Sequence, residues 1–425
     1  MLCLLMAFSI ADAQKILTVE DAVNIALKNN FDILVARNDA DIAKANNTAG
    51  NAGMLPSLQM TGSGNYTLNN IDQKLSGGTE NKYSSLSSTS FNAGTQLSWT
   101  LFDGGKMFVT KNKLTEIEAL GEIQFKDKVL QTLYDVISAY YDVVRQKQQL
   151  NSITEVMNYN QERVKIAQAG LVAGSLLKTD LLQAKIDLNV TLENAINQQF
   201  TIDAAIKYLN SLLGRSIEEV FVVSDSIPLN YIPDREKLLQ RMDSSNTTLL
   251  TFQKQIDIAR LSLMESNRSF SPVLHFNSGY YYSTSANSAG SVLSNRSFGP
   301  QIGGTFIIPI YSSGENRRKV TDAKIQLKSA EYDLENIRLQ VRIDLENALT
   351  GYENQQQLLK IEKENNQLTK ENLEISLQRL RLGQTTSLEV HLAQENFVLS
   401  FTRLIDFEYN LKIAETKLKQ LIASL

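Results

Sequence analysis

Residues 91–106 read FNAGTQLSWTLFDGGK. Phe91, Ala93, Leu97, Trp99 and Leu101 fall on one side of a period-two strand, and Asn92, Gln96, Ser98 and Thr100 fall on the other. A strand of this kind separates an apolar medium from water. At Asp103-Gly104-Gly105 the alternation stops and a helical period begins. A glycine pair beside a short polar residue supplies the backbone freedom that a sharp strand-to-helix change needs.

Three other segments alternate in the same manner. Leu58, Met60, Tyr66 and Leu68 oppose Gln59, Thr61, Ser63, Asn65 and Thr67; Leu274, Phe276, Tyr280 and Tyr282 oppose His275, Asn277 and Ser283. Phe298, Ile302, Phe306, Ile308 and Ile310 oppose Ser297, Gln301 and Thr305. Strands are therefore predicted over about 56–69, 89–103, 272–284 and 296–311. The Ser-, Gly- and Asn-rich stretches 70–90 and 284–296 have no period and read as exposed hairpin tips. Pro56 and Pro272 mark strand entries, where a missing donor is tolerated.

The four strands belong to two copies of one plan. At a constant spacing of 209 residues Gly105 matches Gly314, Asp135 matches Asp344, Ala139 matches Ala348, Leu150 matches Leu359, Gly174 matches Gly383 and Ala184 matches Ala393. Upstream the spacing is 216, which aligns Asn30 with Asn246, Leu34 with Leu250 and Pro56 with Pro272. The first repeat is assigned to 14–213, the second to 246–425, and 214–245, with Pro228 and Pro233, to a linker or equatorial region.

In each repeat a long helix follows the strands. Val129, Leu133, Val136, Tyr140 and Val143 step by three or four, as do Leu327, Ala330, Leu334, Ile337, Val341, Leu345, Ala348 and Tyr352. No proline interrupts 106–170 or 315–381, so each stretch can run as one helix of roughly 65 residues, or about 100 Å. The segments LVAGSLLKTDLLQA and RLGQTTSLEVHLAQ place a glycine stop before a Ser/Thr-containing restart, turning the chain into return helices of about 40 residues.

Composition narrows the function. A net charge of −4 offers no basis for nucleic-acid binding. Residues 1–13, MLCLLMAFSIADA, read as a signal peptide cut before Gln14, and Cys3, the only cysteine, leaves with it. Beyond Ala13 no apolar run approaches the roughly 20 residues of a spanning helix, so a membrane could be crossed only by strands. His275 and His391, the only histidines, form no HExxH or other metal cluster, and Gly104-Gly105-Lys106 lacks the rest of a phosphate loop. No metal, cofactor or catalytic constellation is expected.

Four amphipathic strands cannot close a barrel, and an open edge in lipid leaves backbone groups unpaired. Two chains would supply eight strands, barely wide enough for side chains; three would supply twelve, enough for an aqueous lumen. The apolar residues Phe91, Leu97, Trp99, Leu101, Phe298, Ile302 and Phe306 are then expected to face lipid. Trp99 and Tyr280 to Tyr282 fit either an interfacial aromatic girdle or packing within the sheet.

With its duplicated layout, its LFDGGK junction and its two glycine turns, the chain resembles the TolC-type outer-membrane efflux proteins over essentially its whole mature length. The resemblance implies an α+β membrane protein and a homotrimer. Four strands per chain would contribute to a 12-stranded barrel in outer-membrane lipid, continuous with an α-helical coiled-coil tunnel in the periplasm. It implies an exit duct for an inner-membrane transporter, of RND or ABC type, reached through a periplasmic adaptor (membrane fusion) protein. It also implies an acidic constriction at the tunnel mouth: the first acidic position matches Glu389, the second falls on Leu392, and Asp180 matches an acid that helps tie the closed mouth. Gly174, Lys178, Arg379, Arg381 and Gly383, at the hairpin tips, are the candidate adaptor contacts. Read without the resemblance, Glu389 and Asp180 are helix-start acids favoured by the dipole. The competing function is a secreted coiled-coil scaffold or adhesin without channel activity.

Overall fold

A computed structural model describes residues 16–290 and 292–425. The predicted signal peptide and Cys3 lie outside the described residues. The chain divides into two compact units, one comprising the chain up to Asp39 with Ile123–Thr251 and Glu335–Leu425, the other Ala40–Glu122 and Phe252–Leu334.

The elements run β1 (Ile16–Leu17), α1 (Val19–Asn29), α2 (Phe31–Asn46), β2 (Ser57–Lys74), β3 (Glu80–Phe102), α3 (Lys106–Ala173), α4 (Lys178–Leu212) and β4 (Val222–Val223). They continue as α5 (Arg235–Ser245), α6 (Thr247–Asn267), a 3₁₀ turn, β5 (Val273–Asn287), β6 (Ser294–Ile307), α7 (Glu315–Arg381) and α8 (Ser387–Leu421). The long helices span 68 and 67 residues, and each return helix spans 35, somewhat shorter than expected.

The matched positions occupy matched places. Gly105 and Gly314 have φ of 81° and 78°, and Gly174 and Gly383 have φ of 74° and 68°, a left-handed conformation that a Cβ would strain. Ala184 and Ala393 are both buried. Pro56 and Pro272 each stand one residue before a strand. Asp135 accepts from Gln131 at 3.2 Å, and Asp344 accepts from Gln340 at 2.9 Å.

The same junction sits between the short helices of each repeat. Asn30 caps α2 by accepting from the Ile33 amide at 3.1 Å, while its side-chain nitrogen donates to the Leu212 carbonyl at 2.7 Å. Asn246 caps α6 from the Leu249 amide at 3.0 Å and donates to the Leu421 carbonyl at 2.8 Å. One buried amide thus satisfies an orphan donor at one helix start and a carbonyl at the end of a return helix.

Two predictions need correction. The polar stretches are mostly strand: β2 and β3 pair through to Lys74 and Glu80, with a register shift between Asn69 and Ile71, and β5 pairs with β6 as far as Ala286 and Ser294. Ser, Thr and Asn side chains on both faces erase the hydrophobic period without preventing backbone pairing. The stretch assigned to the linker also contains secondary structure. β4 pairs in parallel with β1, and α5 buries Leu238 and Met242 in a cluster with Leu345, Tyr352 and Leu418. Pro228 and Pro233 end before α5 begins and leave its hydrogen bonds intact.

Candidate functional site

The sheet lies within the second unit, with strand order β2-β3-β5-β6 and every neighbouring pair antiparallel. Register decides which side chains share a face. Leu58 is opposite Leu97, Trp99 opposite Phe276, Tyr282 opposite both Ala93 and Phe298, and Ile302 opposite Ser278. Phe91, Leu97, Trp99, Phe298, Ile302 and Phe306 therefore lie on one face with Leu58, Met60, Tyr66, Phe276 and Tyr280. That face is uncovered in the single chain: Leu58 is 72%, Met60 77% and Ile302 73% exposed. The opposite face carries Gln59, Thr61, Ser63, Asn92, Gln96, Ser98, Asn277, Ser283, Gln301 and Thr305. Leu101 departs from the expected alternation, because the register shifts between Thr100 and Phe102 and Phe102 takes the position opposite Leu274.

Trp99 and the three tyrosines occupy different settings. The Trp99 indole donates to the Met54 carbonyl at 2.9 Å, fastening the apolar face to the loop that precedes β2. Tyr280 and Tyr282 lie on the apolar face, and Tyr281 lies on the polar one. His275, also on the polar face, sits 3.2 Å from the Thr100 hydroxyl.

The hairpin tips lie in the first unit. At the first, Gly174 follows α3, and Asp180 accepts from the Leu177 amide at 2.9 Å, closing the start of α4. The second tip is more heavily tied. Thr386 caps α8 from the Glu389 amide at 3.3 Å, and Arg379 donates to Glu389 at 2.7 Å and to the Gln384 carbonyl at 3.2 Å. Thr385 also donates to Glu389. The Glu389 carboxylate is thus already paired within its own chain, at about half exposure. Leu392 is half exposed, Leu388 and Leu382 more so, and Arg381 reaches from α7 to Glu162 on α3 at 3.0 Å.

A buried polar node near these tips was not anticipated. Arg163, 1% exposed, donates from Nη1 to Asp187 at 2.9 Å, Gln394 at 3.1 Å and Asn160 at 3.4 Å. Its Nε and Nη2 have no acceptor, and His391 Nδ1 lies 3.2 Å from Asp187. The node links α3, α4 and α8. The sequence signal was present, since Val156, Asn160, Arg163 and Ala167 form a helical stripe in which polar residues occupy core positions.

Among the described residues no helix is long and apolar enough to cross a membrane. The sheet carries an exposed apolar face, and among the described residues its two outer strands, β2 and β6, each have one side without a partner strand.

Residues 22–215 and 237–424 match the family described as Outer membrane efflux protein, and the chain belongs to that family. It is 21% identical to the proteases secretion protein PrtF of Dickeya chrysanthemi over 92% of this chain and 84% of PrtF. The solved outer-membrane channel OprN superposes with a TM-score of 0.75 at 17% identity, covering 96% of this chain and 90% of that one. The structure of CusC superposes with a TM-score of 0.74 at 20% identity, covering 95% and 91%. The protein is of the TolC type, located in the outer membrane with its tunnel in the periplasm, and the family supports a role as an efflux exit.

Proposed function

We propose that three copies of this chain form the outer-membrane exit duct of a tripartite efflux or secretion system. The duct conducts passively and catalyses nothing. Substrates reach it from an inner-membrane transporter, of RND or ABC type, through a periplasmic adaptor. The observation that carries this reading is the four-stranded sheet, which has one exposed, predominantly apolar face and two open edges. In lipid each unpaired backbone group costs several kcal/mol, so joining β6 of one copy to β2 of the next removes a large penalty. Three copies give a 12-stranded barrel with the amide and hydroxyl face inside.

The helices support the same assembly. Along α7 and into the turn after it, Ile361, Leu368, Ile375 and Leu382 recur every seventh residue and are exposed; on α4 Leu182, Ile186, Ile196 and Phe200 are exposed as well. A step of seven, as in the first set, is the spacing of a coiled-coil seam, and these exposed apolar residues supply the lateral contacts of a tunnel.

Under this reading Phe91, Leu97, Trp99, Phe298, Ile302 and Phe306 contact lipid, with Phe102 replacing Leu101. Gly174, Lys178, Arg379, Arg381 and Gly383 present the adaptor surface. Glu389 reaches the pore mouth as an ion pair with Arg379, so three copies attract cations less than three bare carboxylates would.

The test is the mass of the detergent-extracted mature protein by light scattering, with planar-bilayer conductance recorded on the same preparation. A conducting trimer is expected. A water-soluble monomer or dimer without conductance would overturn the duct and favour the secreted scaffold.

A further inference from the structure

The polar face of the sheet holds one feature that a plain aqueous wall does not need. Tyr281 stands directly across from Gly94 on β3 and from Gly299 on β6, with Gly279 two residues earlier on the same face. A Cβ on Gly94 would lie 2.6 Å from Cδ1 of the Tyr281 ring, and one on Gly279 would lie 2.4 Å from the Thr95 carbonyl oxygen, 2.9 Å from Cε2 and 3.0 Å from Cζ. Neither glycine has a positive φ, so backbone conformation does not call for glycine at either position. Space for the ring calls for it at Gly94; at Gly279 the Thr95 carbonyl and the ring both do.

A Cβ on a strand projects away from the sheet. Atoms on opposite sides of the ring thus occupy the places of two missing Cβ groups. The phenol therefore lies across Gly94 and Gly279. Beside it is a shallow cavity of about 170 Å³ lined by Thr61, Ser63, Asn92, Tyr281 and Ser283. Ser283 donates to Asn92 at 2.7 Å, which orients that amide at the edge of the cavity. All of these groups are neutral.

We propose that Tyr281 is a stacking platform for the flat C–H face of a neutral sugar ring passing through the duct, with Asn92, Ser63 and Thr61 receiving its hydroxyls. A flat aromatic face beside amides and hydroxyls matches the two surfaces of a pyranose. The neutral lining gives a planar cation no carboxylate to pair with. The proposal rests on the duct reading, because only in a closed barrel does this face line the pore.

The experiment adds maltohexaose to reconstituted trimers in a planar bilayer and measures the concentration that half-blocks the ion current. Wild type and Tyr281→Phe should be blocked alike. Tyr281→Ala should need about fivefold more sugar, the loss expected for removing one ring contact. Gly94→Ala should lose block comparably while retaining the phenol, because the new methyl lifts the ring off its bed. A conducting wild-type trimer insensitive to maltohexaose would overturn the platform and leave the duct intact. So would a Tyr281→Ala trimer that is blocked as strongly as wild type, or block by a planar aromatic cation where the sugar has no effect. A preparation that never conducts would refute the duct, and the platform with it.

Discussion

The two repeats keep one junction and differ along their helical hairpins. Asn30 and Asn246 make the same pair of hydrogen bonds, to the third residue of the next helix and to the end of the return helix, within 0.1 Å of each other. In the hairpins the glycine turns still correspond, but the side-chain pairing does not. Arg163 is buried on Asp187, whereas the residues 209 positions on, Asn372 and Asn396, are both exposed. The first tip is closed by Asp180 on a backbone amide, the second by Glu389 held between Arg379 and Thr385. Where the backbone needs a donor and an acceptor in fixed places, one residue type answers in both copies. Where a side chain meets a neighbouring helix or a partner, the copies have moved apart.

Within the sheet the repeats should behave as equals, and charges on the apolar face should show it most strongly. Trp99→Lys in the first repeat and Phe306→Lys in the second should each cost about 2–4 kcal/mol in lipid and deplete the membrane-inserted oligomer. Ser98→Lys and Thr305→Lys, one residue away on the other face, should assemble. The fraction of oligomer recovered from purified outer membranes measures this, and equal assembly of all four would remove the face assignment.

The hairpins should behave as unequals. Arg163→Ala leaves Asp187 buried without its partner and should cost about 3–5 kcal/mol, whereas Asn372→Ala should fall within about 0.5 kcal/mol of wild type. Denaturant midpoints followed by helical circular dichroism would compare them. Similar midpoints would mean that the node is wetter than its burial indicates.

At the junction, Asn30→Ala and Asn246→Ala each strand a buried carbonyl and an amide, and each should cost about 1–3 kcal/mol. The informative quantity is their difference, expected near zero. A large one would show that only one repeat depends on its asparagine.

The smallest effect on stability belongs to Glu389→Gln. Its pair with Arg379 is exposed and should contribute less than about 1 kcal/mol. Its readout is the cation dependence of conductance. A shifted curve places Glu389 at the mouth, and an unshifted one leaves it tying the tip together.

Much of this was legible in the chain because it is local. Alternation along 91–101, glycines at 105, 174, 314 and 383, and unbroken helical periods specify element type, turn position and duplication from neighbours in sequence. Strand ends in the polar hairpins were not legible, because backbone pairing through Lys74 and Glu80 needs no hydrophobic period. The bulge at Leu101 was hidden for a related reason, since register is a property of two strands and one strand's pattern cannot report it. Partners more than a hundred residues apart, such as Asn30 with Leu212 and Arg163 with Gln394, exist only after packing. The sequence by itself determined that one face of each strand is apolar and that the plan occurs twice. The tertiary structure decided that the four apolar faces coincide, that Tyr281 lies on the other one, and that Glu389 already has a counter-ion. Each of those outcomes depends on distances between segments that the order of residues does not contain.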